Sequence, residues 1–173
     1  HNGCFNFSKS KSTANTQSLE DSLHLARCAL TPPTMQHNKY KIVPTKKPKK
    51  VAIIGAGIGG LEAALVLKQR GHMPVIFEKN DFVGGIYVTA AEMSFKQEDK
   101  ALIKWYKRQI AKYDIEINFN TDIADAASLL RDFDEVIITI GARPKTLRVP
   151  GFEKCIDFTA LLINNKGGEK IVF

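Results

Sequence analysis

The chain has 173 residues, enough for one domain of ordinary size with an additional arm. A composition of 44% hydrophobic and 25% charged residues excludes collagen-like, low-complexity and wholly disordered classes, and no apolar run approaches the roughly 18 residues of a membrane span. The net charge of +7 belongs to the leading arm. Residues 1–50 hold nine Lys/Arg against two Asp/Glu, whereas residues 51–173 hold 16 of each, so no nucleic-acid or membrane partner is expected of the body.

Residues 1–50 read as an irregular arm, either a solvated linker or an anion-binding patch. The chain opens at His1 rather than Met, and HNGCFNFSKS has no apolar signal core, so the sequence reads as an excised piece of something longer. Cys4, Cys28 and Cys155 are too few and too scattered for a disulfide scaffold, which points to a reducing, cytoplasmic setting. Leu19, Leu23, Leu25 and Leu30 have roughly helical spacing over 18–30, with Ser18 as N-cap and Pro32-Pro33 as the stop. PTKKPKK at 44–50 reads as a charged, proline-stiffened linker, and the domain boundary is placed after it.

Beyond Lys50 the texture changes. VAIIG (51–55) is a short apolar run ending in glycine, the mark of a strand buried on both faces. The Ala- and Leu-rich stretch that follows predicts a helix over 58–70, with Gly71 as its C-cap. A second buried strand is predicted at 73–79. Apolar residues at 102, 103, 106, 110 and 113 form a helical stripe within 96–113. A short strand at 116–120, one or two helical turns at 126–133 and another buried strand at 134–141 complete the pattern. Alternating strand and helix predict an α/β fold, a Rossmann-like doubly wound parallel sheet over residues 51–160. Trp105, Tyr106, Tyr113 and Cys155 are read as packing residues.

The chemistry centres on Gly55-Ala56-Gly57-Ile58-Gly59-Gly60, a G-x-G-x-x-G between strand and helix. Gly55 permits the tight turn, a side chain at Gly57 would push a pyrophosphate off the backbone, and Gly60 lets helix and strand pack closely. Phosphates would then face the free N–H groups at the positive end of the helix. Glu78, 18 residues beyond Gly60 at the end of the second strand, is placed to accept from both hydroxyls of an adenosine ribose and to repel a 2′-phosphate, which disfavours NADP in this site. Gly84-Gly85 would let a second stretch of backbone approach an extended ligand. Other chemistries lack support: no tyrosine has a lysine four residues on, His1, His24, His37 and His72 have no metal-ligand spacing, and there is no G-x-S-x-G.

The last predicted strand ends in Thr139-Ile140-Gly141-Ala142-Arg143-Pro144. Together with Gly55–Gly60, Glu78 and Gly84-Gly85, it resembles flavoproteins that have two dinucleotide-binding domains. Over roughly residues 50–155 the sequence is similar to the flavin domain of NADH:flavin oxidoreductases related to 2,4-dienoyl-CoA reductase, 2-enoate reductase and trimethylamine dehydrogenase. The resemblance implies an FAD site with the cofactor-binding set Gly55, Gly57, Ile58, Gly59, Gly60, Glu78, Lys79, Gly84, Gly85, Ile123, Thr139 and Gly141. It also implies companion domains absent here, an FMN barrel and an NAD(P)H domain, of which 161–173 would be the first residues, and a small-molecule substrate. Cys4 and Cys28 would be two of the four thiolates of a 4Fe-4S cluster, or else ordinary arm cysteines. Electrons would run from NAD(P)H through FAD and the cluster to FMN and an activated C=C bond. The residues alone leave open a second class, a non-catalytic adenine-nucleotide-binding module.

Overall fold

The computed structural model describes Pro33 and residues 37–142, 149–156 and 158–164. The arm helix expected at 18–30, Cys4, Cys28, Arg143-Pro144 and most of the expected NAD(P)H-domain start at 161–173 lie outside the described residues. Contacts divide the chain into two units, His1–Val43 and Pro44–Phe173. Of the first, Pro33 and residues 37–43 are described, with a turn at 37–40.

In chain order the elements are β1 (Lys50–Ile54), α1 (Ile58–Gln69), β2 (Met73–Phe77), α2 (Ile86–Ala91), α3 (Gln97–Lys112), β3 (Glu116–Asn118), a 3₁₀ helix at Ala126–Arg131, β4 (Glu135–Ile138), a 3₁₀ turn at Phe152–Lys154 and α4 (Phe158–Asn164). All pairings in the sheet are parallel and its order is β3-β2-β1-β4. The chain thus winds outward from β1 to β3, then returns across to β4 on the other side of β1. The crevice at a change of direction like this, beyond the strands' carboxyl ends, is where such sheets bind ligands.

The in-register row Ile117, Ile76, Ile53 and Ile137 runs across the sheet on one face. Leu61, Ala64 and Leu65 of α1 and Tyr106 and Ile110 of α3 pack onto it, and Ile53, Leu61 and Ile76 are fully buried. Burying a side chain of this size stabilises by about 1.5–3 kcal/mol. The expected stripe on α3 is therefore the one that packs, with Ile103, Tyr106 and Ile110 buried. On the opposite face Phe77 meets Phe133 edge to face at 5.7 Å.

Three expectations change. Residues 44–50 are not a free tether: the Thr45 N–H donates to the Arg70 carbonyl at 2.7 Å, the Lys49 N–H to His72 Nδ1 at 3.2 Å, and Lys50 opens β1. β4 is not a buried strand. Among the described residues it has a strand partner on one flank only, and Ile138 and Ile140 are 61% and 71% exposed. The short helices α2 and α4 were not anticipated, because six or seven residues are too few to show a 3.6-residue period.

Candidate dinucleotide site

The site grows from the end of β1. Gly55 turns the chain with φ +103°, and a Cβ there would lie 2.6 Å from the Thr139 carbonyl oxygen, so only glycine fits. Gly57 is extended and heads α1, whose first internal bond runs from the Leu61 N–H to the Gly57 carbonyl at 2.9 Å. The N–H groups before Leu61 have no helical acceptor, no side chain caps them, and no acid stands in the first turn. A Cβ on Gly57 or Gly59 would point into open space, whereas one on Gly60 would run into the Gly55 carbonyl and lie 2.7 Å from Thr139 Oγ1. The three glycine roles thus separate: Gly55 and Gly60 are required by the protein's own packing, and Gly57 leaves a clear approach to an uncapped, positive helix end.

Glu78 is 5% exposed, which excludes a solvated strand-end carboxylate. Its Oε2 accepts from the Ala56 N–H at 2.7 Å, and its Oε1 accepts from the Asn80 N–H at 2.9 Å and Asn80 Nδ2 at 2.8 Å. A carboxylate offers about four acceptor positions. Three are filled from within, so Glu78 has less acceptor capacity left for ribose hydroxyls than an unengaged carboxylate would offer. Thr139 supports the turn from the other side: its N–H donates to the Ile54 carbonyl and its hydroxyl lies 2.9 Å from the carbonyls of both Ile54 and Gly55.

The second glycine pair is brought to the first. The Gly84 N–H donates to the Ala56 carbonyl at 2.8 Å, Gly57 and Gly84 form a parallel bridge, and a Cβ on Gly85 would stand 3.3 Å from Gly57 Cα. The close approach is between two stretches of protein backbone. Gly85 then opens α2. Ile58 is half-buried at the start of α1, Lys79 is exposed beyond β2, Ile123 is half-buried in the segment after β3, and Gly141 is exposed with φ +75°.

Sequence reasoning missed Ala56, which acts through its backbone on both Glu78 and Gly84, and Asn80. An Asn two residues after a strand-end acid is a common turn signal and could have flagged the latter. Two tyrosines make bonds that the sequence did not foretell, and Tyr106 is buried, as expected of a packing residue. Tyr87 donates to Asp99 Oδ1 at 2.6 Å, and its hydroxyl pKa is pushed up to about 12, by burial first and the Asp99 bond second. Tyr106 donates to Glu62 Oε2 at 3.0 Å, and its pKa is raised by burial first and by the Glu62 charge next.

Two residues expected in the packing are outside it. Cys155 is an exposed free thiol and Trp105 is 40% exposed, touching only Tyr106 of its own helix among the aromatic rings described. Among the described residues no three His, Cys, Asp or Glu side chains are grouped to hold a metal. No described helix is long and apolar enough to cross a membrane. A cavity of about 390 Å³ lies between α3 and β3, lined by Ile110 and Ile117 among others and by no residue of Gly55–Gly60.

Comparison with known proteins agrees with this geometry. Residues 49–170 match the family model described as pyridine nucleotide-disulphide oxidoreductase. The chain is 34% identical to a cinnamate reductase of Clostridium sporogenes over 148 residues, covering 84% of this chain and 22% of that protein. It is 30% identical to a multifunctional alkene reductase/demethylase of Caballeronia cordobensis, covering 75% and 20%. Its fold superposes on a solved 2-naphthoyl-CoA reductase with a TM-score of 0.74 at 28% identity, covering 83% of this chain and 22% of that one. The chain thus spans about a fifth of the length of these relatives. With a family match over most of its length and the glycine turn of a dinucleotide fold in place, the chain belongs to the pyridine nucleotide-disulphide oxidoreductase family.

Proposed function

We propose that this chain is the FAD-binding domain of a multi-cofactor, NAD(P)H-dependent flavin oxidoreductase that reduces an activated C=C bond of enoate or dienoyl type. One observation carries the FAD site: an uncapped helix start beside an open Gly57, with the buried Glu78 carboxylate one hydrogen bond away at Ala56. The residues fit the adenosine diphosphate half of the cofactor. The free N–H groups at the start of α1 would hold its phosphates. The acceptor capacity left on Glu78 would take a ribose hydroxyl, and the carboxylate charge would repel a 2′-phosphate. Lys79, Ile123 and Gly141, set around the carboxyl ends of the strands, would border the ligand. When bound, the flavin supplies the exchange between two-electron chemistry with NAD(P)H and one-electron transfer onward.

The protein's own contribution is binding and orientation. Gly55, Gly60 and Thr139 hold the turn, and Glu78 ties β2 to it. Companion FMN and NAD(P)H domains, a 4Fe-4S cluster using Cys4 and Cys28, a cytoplasmic setting and an enoate-like substrate belong to the same reading. The names of the reductases above support it, as does the chain's span of only about a fifth of their length.

The test is titration of the chain with FAD, ADP and NADP, beside Gly57→Ala. An alanine at Gly57 meets nothing and needs no unusual backbone angle, so the fold should be unchanged. FAD and ADP should bind, NADP should bind more weakly, and Gly57→Ala should lose about tenfold or more in FAD affinity. A chain that binds adenine nucleotides but takes up no flavin, even within a longer protein, would instead be the non-catalytic module. Equal affinity in wild type and Gly57→Ala would remove the site altogether.

A further inference from the structure

The two glycine-bearing elements, α1 and α2, are both fastened to α3. Asp99 in the first turn of α3 accepts from Tyr87 of α2 at 2.6 Å. Tyr106, seven residues and two helical turns along the same face, donates to Glu62 of α1 at 3.0 Å. The Tyr87 contact has the short length of a charge-assisted O–H···O⁻ bond, and it lies two residues after Gly85. Gly85 in turn stands against Gly57, and Gly84 bonds to Ala56. Besides the Tyr87 bond, α2 is held by the Gly84 bond to Ala56 and by Lys100 of α3, whose Nζ donates to the Glu92 carbonyl at 3.0 Å; it is six residues long, too short to be stable alone, and only Thr89 and Ala91 are buried in it.

We infer that α3 is a clasp, and that the Tyr87–Asp99 bond is a positioning device that keeps α2, and with it the Gly84-Gly85 turn seated against Gly57, where the second half of a dinucleotide meets it. This rests on the reading of the glycine turn as an FAD site. Tyr87 and Asp99 touch no ligand in this arrangement and act through Gly84-Gly85. AMP, which ends at its single phosphate, reaches Glu78 and α1 but has no second half to meet the α2 turn. FAD has one. The clasp therefore discriminates between ligands in a way that a merely stabilising bond would not.

The experiment is a double-mutant cycle, Tyr87→Phe, Asp99→Ala and both together, on the whole chain, with Asp99→Asn as the conservative variant. FAD and AMP affinities are read by calorimetry, well below each variant's melting temperature. Each single change should weaken FAD about three- to tenfold, as expected for one net hydrogen bond. The double should be no worse than the singles, and AMP should move less than about twofold. Asp99→Asn keeps an acceptor oxygen and should lie closer to wild type. Unchanged FAD affinity, additive losses, or FAD and AMP weakening together would overturn the clasp while leaving the FAD site in place. Failure of the wild type to bind FAD, or of Gly57→Ala to weaken it, would instead bring down the site reading and the clasp with it.

Discussion

Glu78 does two jobs with one carboxylate. Its three internal donors tie β2, the Asn80 turn and the backbone of Ala56 together, and a ligand would meet the acceptor capacity that remains. Glu78→Gln therefore does more than remove a charge. Whichever way the amide is turned, its NH₂ meets at least one of the Ala56 and Asn80 N–H groups, donor against donor. An unsatisfied buried donor costs about 1–3 kcal/mol. The variant should lower the unfolding midpoint in urea and weaken ADP about tenfold or more. A variant with wild-type stability would show that these internal bonds contribute little. The acid at the end of the second strand was legible from its spacing after Gly60, but its burial was not, because Asn80 and Ala56 reach it only once β1 and β2 are paired.

At the level of elements, the links among α1, α2 and α3 carry a pH signature. The Tyr87 hydroxyl is raised from an ordinary 10.0 to about 12, so its neutral form is favoured in the fold. Stability from this group is complete below about pH 10, where the unfolded tyrosine is still protonated. It is lost as pH climbs towards 12, because there the unfolded chain releases a proton that the native one keeps. Tyr106 acts in the same direction. Tyr87→Phe should therefore show a shallower loss of stability between about pH 10 and 12 than wild type, while Tyr106 continues to contribute in both. Urea midpoints at about pH 9 and about pH 11 check this, and parallel slopes would contradict it. Neither tyrosine's partner was legible in the sequence. Asp99 and Glu62 are 12 and 44 residues away from them, and only the packing of the helices on the sheet brings the pairs together.

For the whole molecule, the decisive feature is the flank of β4. Ile138 and Ile140 are exposed, and the described residues place no strand beyond them. Relatives of this chain are about four times as long. If further chain covers this flank in a longer protein, the flavin half of the cofactor gains walls that the 173 residues lack. FAD should then bind the isolated chain weakly and the longer protein much more tightly. Calorimetry on both compares them, and nanomolar affinity in the isolated chain would show that the pocket is already complete.

The sequence by itself determined the alternation of strand and helix, the parallel sheet, the glycine turn and the acid that belongs with it. Each is written in local signals: continuous apolar runs, glycine spacing and a helical stripe. It did not determine which strand would be an edge, since DEVIITIG is as apolar as a central strand and exposure depends on what lies beside it. It did not show that Gly84-Gly85 meets Gly57, or that Glu78 is held from three sides. Those facts are distances between residues far apart in the chain. They exist only after β1 and β2 lie in register and α3 has packed across α1 and α2, which is why tertiary structure alone could decide them.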